Sequence, residues 1–107
     1  RSSRPGTFTA DDLAVYRAAW RQPGALTAML NWYRALRLRR RAVVTAPIEV
    51  PVRVIWGDGD RFLERDLAQV GAAGCQQGEA CHLAQATHWV QHEEPEQVNR
   101  LLLDFLR

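Results

Sequence analysis

Two short segments with strand character constrain the fold of this 107-residue chain more than any other feature of its sequence. The first, residues 52–56, is β-branched and aromatic, and it stops at four turn-forming residues, 57–60. The second, residues 80–84, has weaker strand character, and the stretch from about 63 to 73 suits a helix. A strand, a helix and a strand within about 35 residues predict a βαβ unit with parallel strands and a right-handed crossover.

A sheet of only two strands does not make a self-sufficient core. A lone parallel pair has two open edges and leaves apolar faces exposed. The chain length agrees with this topology, since 107 residues suffice for one small domain or for a piece of a larger one. We therefore expect residues 46–107 to form the last third of a larger α/β protein, and the isolated chain to self-associate through its apolar faces.

The N-terminal part of the chain has helical character instead. Thr9, followed by two acidic residues, has the pattern of a capped helix start, and a helix of about three turns follows it. The Gln-Pro-Gly sequence at 22–24 breaks this helix, and Pro23 suits the first turn of a second one. The two helices predict a helical hairpin. At the other end of the chain, the apolar spacing from about Glu94 onwards predicts an amphipathic helix.

Composition and motif spacing argue against several functional classes. Cys75 and Cys81 lack the ligand spacing of a zinc site, so we expect two reduced thiols and no metal. No apolar run approaches the ~20 residues of a membrane-spanning helix. One basic cluster lacks the interleaved aromatic residues of a nucleic-acid site and fits a solvated helix end. This cluster consists of Arg34, Arg37, Arg39, Arg40 and Arg41. We expect a cytoplasmic protein without nucleic-acid or membrane partners.

One polar residue follows each predicted strand, at the point where that strand ends. Asp60 lies in the turn after the first strand, and His88 lies in the turn after the second. Neighbouring parallel strands end about 4.8 Å apart at one edge of a sheet, so the carboxylate can reach the imidazole. A histidine oriented by a carboxylate is half of a nucleophilic or general-base site. The alternative is structural, with Asp60 capping the next helix and His88 packing beside Trp89.

The other histidines and the nearby aspartate are weaker candidates. His82 lies within the second predicted strand and His92 lies in a polar run, so we expect packing or surface roles for both. Asp58 precedes a glycine and is interpreted as a residue that assists the turn.

Three motifs carry the strongest functional signal. They are Val54-Ile55-Trp56-Gly57-Asp58-Gly59-Asp60, Ala86-Thr87-His88-Trp89 and Leu30-Asn31-Trp32-Tyr33-Arg34. The first two resemble the ends of strands seven and eight of an α/β-hydrolase, which read W-G-x-x-D and G-H-W in the epoxide hydrolase branch. The third is similar to the N-W/Y-Y-R element in the cap of that branch. The resemblance runs from about residue 8 to residue 106.

The resemblance implies roles for three residues. Asp60, rather than Asp58, matches the triad acid, and His88 matches the triad base. Tyr33 matches the cap tyrosine that hydrogen-bonds the epoxide oxygen and helps it leave. The implied reaction converts an epoxide to a vicinal diol through an alkyl-enzyme ester, without a metal or an organic cofactor. Tyr33 also lies on the apolar side of its helix, where a core tyrosine would sit, and that alternative remains open.

Two departures from the family pattern affect these expectations. Thr87 stands where the family usually has glycine before its histidine, so the turn geometry there can differ. The sequence also contains no G-x-S-x-G or G-x-D-x-G nucleophile turn. The resemblance places the nucleophile, the oxyanion-hole donors and the first six strands outside this sequence. We therefore expect the 107-residue chain to be inactive by itself.

These features together predict the C-terminal segment of an α/β-hydrolase. Residues 1–45 are expected to form part of a helical cap or lid, and residues 46–107 a parallel βαβα unit of the core. The partners implied are the missing N-terminal half of the fold and a small-molecule epoxide or ester substrate. Another α/β-hydrolase, either an esterase with serine or a dehalogenase with aspartate, is the first alternative. A non-catalytic fragment that serves as an interaction module is the second.

Overall fold

The computed structural model describes residues 2–38 and 46–107 of the chain. Within these ranges the helices are α1 (Ala10–Trp20), α2 (Ala25–Leu38), α3 (Leu67–Ala73), α4 (Val90–Glu93) and α5 (Pro95–Phe105), and the strands are β1 (Val52–Gly57) and β2 (Gly78–Leu83). Three arginines of the predicted basic cluster, at 39–41, lie outside the described residues. The described residues divide into two compact units, one of residues 2–7 with 46–107 and one of residues 8–38.

The first unit contains the βαβ element that the sequence predicts. β1 and β2 are hydrogen-bonded neighbours that run parallel, and their register pairs Val52 with Gly78 and Gly57 with Leu83. α3 connects them, and an isolated parallel bridge joins Ile48 to Cys75. The predicted strand–helix–strand topology is therefore confirmed.

The boundaries of two elements differ from the sequence-based expectation, and one short helix is additional. The helix expected from about residue 63 begins at Leu67, because the residues after Asp60 bind its carboxylate in a turn instead. The second strand spans Gly78–Leu83 rather than residues 80–84. A Cβ at Gly78 would lie 2.0 Å from the carbonyl oxygen of Ala72, so only glycine allows α3 to pack this closely on β2. The short helix α4 was not predicted at all.

Small side chains and one arginine hold this unit together. The buried apolar residues among those described are Ala68, Ala72, Ala86 and Val98. Arg53 on β1 lies across α5, with its guanidinium 5.2 Å from the ring centroid of Phe105 and 3.2 Å from the carboxylate of Asp104. The same guanidinium also pairs with Glu79 on β2. Arg53 thus fixes the C-terminal helix to the sheet.

The second unit is the pair of helices α1 and α2. Thr9 caps α1 through a reciprocal capping box with Asp12, as the sequence predicts. Gly24, with φ of +79°, ends the break between the helices, so α2 begins at Ala25 rather than at Pro23. Neither helix has a buried residue. In the described part of the chain, no helix combines the length and the apolar character needed to cross a membrane.

Candidate active site

An aspartate–histidine pair lies at the carboxyl ends of β1 and β2. Nδ1 of His88 is 2.9 Å from Oδ2 of Asp60. The other oxygen, Oδ1, accepts hydrogen bonds from the backbone N–H groups of Phe62 at 2.8 Å and Leu63 at 3.2 Å. The expected approach of the two side chains is therefore observed. The alternative in which Asp60 caps the next helix is not observed, because these two amides lie in the turn before α3, which begins at Leu67.

Burial and hydrogen bonding have opposite effects on the pKa of Asp60. The Asp60 side chain is 7% exposed, whereas that of His88 is 40% exposed. Burial raises the pKa of Asp60, but the hydrogen bonds from His88 and from the Phe62 and Leu63 amides outweigh it and lower this pKa overall. An anionic Asp60 favours the His88 tautomer that carries its proton on Nδ1 and its lone pair on Nε2. That tautomer is the one a general base requires.

The two turns that carry the pair are packed directly against each other. The N–H of Gly59 donates to the carbonyl oxygen of Ala86 at 2.8 Å. A Cβ at Gly57 would lie 2.1 Å from the carbonyl oxygen of Thr87, so any larger residue would push the second turn away. The glycines around Asp58 thus set the distance between Asp60 and His88.

A second aspartate–histidine pair lies beside the first and was not predicted. Oδ1 of Asp58 is 2.6 Å from Nδ1 of His82 and accepts from Nε of Arg65 at 2.9 Å. Burial raises the pKa of Asp58, but the hydrogen bonds from His82 and Arg65 lower it overall. The expectation of a plain packing or surface role for His82 thus missed this carboxylate partner. The strand register would have indicated this contact, because His82 pairs with Trp56, which lies two residues before Asp58.

The two aspartates differ in the histidine that each contacts. His88 is bound by Asp60, and His82 is bound by Asp58. Phe62 and Trp89 flank the His88 ring, with ring centroids 5.0 Å and 5.7 Å away in edge-to-face geometry. Two aromatic rings thus enclose the imidazole that remains partly exposed.

Sequence reasoning also missed Glu93, a carboxylate buried behind the His88 turn. Its side chain has no exposed surface. It accepts from the backbone N–H of Thr87 at 2.5 Å, from the Thr87 hydroxyl at 2.8 Å and from the backbone N–H of Arg4 at 2.7 Å. Nothing in the polar run around Glu93 marks it as buried, since its partner Arg4 lies 89 residues earlier.

Tyr33 belongs to the second unit. It lies on α2 and is 73% exposed, so in the described structure it is not a core tyrosine. With Met29, Trp32 and Leu36 it lines an apolar groove of about 440 Å³. Asn31 accepts a hydrogen bond from Arg34 at 3.1 Å within the same motif. The groove can take an apolar group with the Tyr33 hydroxyl beside it.

The described residues do not offer the arrangement of side chains that a metal ion requires. No group of three or more histidine, cysteine, aspartate or glutamate side chains there is placed to hold a metal ion. Cys75 and Cys81 are both free thiols.

Glu93 makes the stability of the first unit dependent on pH. Burial raises the pKa of Glu93, but the hydrogen bonds from Arg4 and Thr87 lower it overall. A carboxyl group whose pKa is lowered by folding stabilises the folded state at any pH above its unfolded pKa of about 4.3. This stabilisation is lost as the pH falls from there through the lower pKa of the folded state. Glu93→Gln should therefore destabilise the chain at pH 7, on the order of 2 kcal/mol, and by progressively less below about pH 4.

Thermal unfolding followed by circular dichroism between pH 3 and pH 7 measures this difference. Glu96→Gln is the control, because Glu96 is an exposed glutamate in the first turn of α5, close to Glu93 in the sequence. A Glu93→Gln effect that is equally large at every pH would contradict the assignment of a buried, charged Glu93.

Comparison with known proteins gives the geometry a family context. No protein-family model matches the chain. The chain is 49% identical over 106 residues to the AB hydrolase superfamily protein YfhM of Bacillus subtilis, covering 99% of the chain and 37% of that protein. It is 34% identical over 105 residues to epoxide hydrolase 4 of Homo sapiens, covering 94% of the chain and 28% of that protein.

Solved structures agree with the sequence matches. The chain superimposes with a TM-score of 0.78 and 30% identity on the Bacillus megaterium epoxide hydrolase, covering 94% of the chain and 38% of that enzyme. A variant of that enzyme has been solved with its product, (R)-3-(1-naphthyloxy)propane-1,2-diol. The chain thus spans about a third of the length of the proteins it matches. By sequence and by fold, this chain aligns with the C-terminal part of α/β-hydrolases and is similar to epoxide hydrolases.

Proposed function

We propose that this chain supplies the general base, its orienting acid and an oxygen-polarising tyrosine to an epoxide hydrolase. His88 is the base, Asp60 is the acid and Tyr33 is the tyrosine. The observation that carries the proposal is the hydrogen bond between Nδ1 of His88 and Oδ2 of Asp60 at the carboxyl ends of two parallel strands. Ligands of open α/β sheets bind at that edge.

The proposed reaction has two half-reactions. An aspartate outside this sequence attacks an epoxide carbon, the carbon–oxygen bond breaks, and the Tyr33 hydroxyl donates a hydrogen bond to the developing alkoxide. The product of this step is an ester between the aspartate and the opened substrate. Nε2 of His88 then removes a proton from water, and the resulting hydroxide attacks the ester carbonyl. The bond between the ester carbonyl carbon and the substrate oxygen then breaks. The proton held by His88 and the proton of the carboxyl group formed from the ester pass to the two substrate oxygens, so the vicinal diol leaves and both the aspartate and the neutral His88 are regenerated.

The two parts of the chain have different roles in this proposal. The helices of residues 8–38 are assigned to a cap and residues 46–107 to the catalytic core, with residues 2–7 packed on the core. The apolar groove beside Tyr33 supports a substrate with an apolar substituent, since it is lined by Met29, Trp32 and Leu36. An aryl ether epoxide, which gives a diol of the kind bound by the Bacillus megaterium enzyme, has such a substituent.

A hybrid enzyme tests the proposal in a complete fold. In this hybrid hydrolase, the chain replaces the aligned segment of the Bacillus megaterium epoxide hydrolase. Tyr33→Phe removes only the donor hydroxyl, so it should slow formation of the covalent ester by about 10²–10³-fold, the usual cost of losing one oxyanion donor. Rapid-quench measurement of the ester with 1-naphthyl glycidyl ether gives this rate.

Tyr16→Phe is the matched control for that variant. Tyr16 stacks against Trp20 on α1, and phenylalanine keeps the ring while it removes the hydroxyl. We expect its ester formation to match that of the unmodified hybrid. If Tyr33→Phe also left ester formation unchanged, Tyr33 would not act on the epoxide oxygen.

A further inference from the structure

Glu93 is a buried carboxylate that takes no part in the proposed reaction, and its hydrogen-bond donors are mainly Thr87 and Arg4. Two of its three shortest hydrogen bonds come from Thr87, one from the backbone N–H and one from the hydroxyl. The third comes from the backbone N–H of Arg4, whose guanidinium also donates to the Glu93 carbonyl oxygen. The buried charge is thus neutralised by hydrogen bonds and by one nearby cation.

Thr87 is the residue immediately before His88, so these contacts bear on the orientation of the imidazole. On one side, Gly59 holds the carbonyl of Ala86 at 2.8 Å. On the other side, Glu93 holds both the amide and the hydroxyl of Thr87. The backbone that leads into His88 is therefore fixed from two directions.

These contacts also show how the fold accommodates Thr87 at the position before His88, where similar proteins usually have glycine. A threonine at this position brings a hydroxyl group, and that hydroxyl would be costly to bury without a partner. Oε1 of Glu93 accepts it at 2.8 Å. The Thr87 hydroxyl also lies 3.4 Å from the backbone nitrogen of Trp89, on the far side of His88.

We propose that Glu93 is a positioning residue, which fixes the Thr87 backbone and thereby holds Nδ1 of His88 on Asp60. Its importance for catalysis rests on the proposed function, but its effect on the His88–Asp60 hydrogen bond does not. A purely structural Glu93 would stabilise the fold without changing that hydrogen bond. The two cases therefore differ in what happens to the imidazole in a variant that still folds.

NMR of the ¹⁵N-labelled hybrid hydrolase, in which the rest of the fold covers the apolar faces of the chain, distinguishes them. The signals to follow are the Nδ1–H proton of His88, which is strongly shifted downfield when bound to a carboxylate, and the exchange rate of the Thr87 amide. Glu93→Gln keeps the shape of the side chain, but one of its two oxygens becomes an NH₂ donor. The side chain then cannot accept both the bond from the Thr87 N–H and the bonds that the Thr87 hydroxyl and the Arg4 N–H donate to the other oxygen. We expect loss of the His88 Nδ1–H signal and Thr87 amide exchange that is faster by about tenfold.

Two further variants complete the test. Thr87→Val removes the hydroxyl, and with it the bond to Glu93 and the weaker contact with the Trp89 N–H, so it should broaden the same His88 signal even if Glu93→Gln does not fold. Glu94→Gln is the matched control, because Glu94 also pairs with Arg4, at 2.8 Å, but makes no contact with Thr87 among its hydrogen bonds. Its His88 signal should be unchanged. An unchanged His88 Nδ1–H signal in folded Glu93→Gln or in Thr87→Val would overturn the positioning role. Loss of diol formation in the hybrid hydrolase would instead bear on the proposed function.

Discussion

Replacement of His88 by alanine should stop the hybrid hydrolase after its first half-reaction. The first step uses the aspartate nucleophile and Tyr33, so the epoxide should still open and form the ester. Without a general base, water attack on this ester should be slower by about 10²–10⁴-fold. The covalent adduct should then accumulate, and intact-protein mass spectrometry should show a mass increase equal to one epoxide.

His82→Ala is the control for this experiment. It removes a second histidine that is also bound to an aspartate, but one that lies within a strand. Its turnover should remain close to that of the unmodified hybrid, and no adduct should accumulate. A folded His88→Ala hybrid that loses activity without any adduct would count against the two-step mechanism.

Replacement of Asp60 by asparagine should slow ester hydrolysis nearly as much. Asparagine keeps an oxygen for the Phe62 and Leu63 amides, so the turn should persist. Its NH₂ group would face Nδ1 of His88, which favours the tautomer with the proton on Nε2. That tautomer cannot accept a proton from water. The corresponding change in a serine protease triad costs about 10⁴-fold in kcat, and we expect a loss on the order of 10²–10⁴-fold here.

Asp58→Asn provides the comparison for this prediction. Asp58 binds His82 and Arg65 rather than His88, so this change should affect stability more than the rate of ester hydrolysis. Single-turnover measurement of ester decay separates the two variants. Equal rate losses for Asp58→Asn and Asp60→Asn would show that the choice of Asp60 as the orienting acid is wrong.

Local sequence patterns predicted the framework of the site. The β-branched segment at 52–56, the glycines after it and the helix pattern between the strands predicted a parallel βαβ unit, and that unit is present. The topology also predicted that the turns after the two strands would bring Asp60 to His88. Both predictions depend on short-range patterns and on the geometry of adjacent parallel strands.

The features that were not predicted depend on contacts between residues far apart in the chain. Glu93 is buried because it binds Arg4, 89 residues earlier. Asp58 meets His82 only once the strand register is known. Gly78 extends the second strand because α3 approaches within 2.0 Å of where its Cβ would be. In each case the cause is tertiary packing, which a local pattern does not encode.

Diol formation by the hybrid hydrolase tests the central claim most directly. The hybrid should convert 1-naphthyl glycidyl ether to the vicinal diol with repeated turnover, whereas the 107-residue chain alone should form none, since its sequence has no nucleophile turn. Chiral chromatography of the product measures both the rate and the identity of the diol. A folded hybrid that forms no diol, or diol formation by the isolated chain, would contradict the assignment of Asp60 and His88 to an epoxide hydrolase.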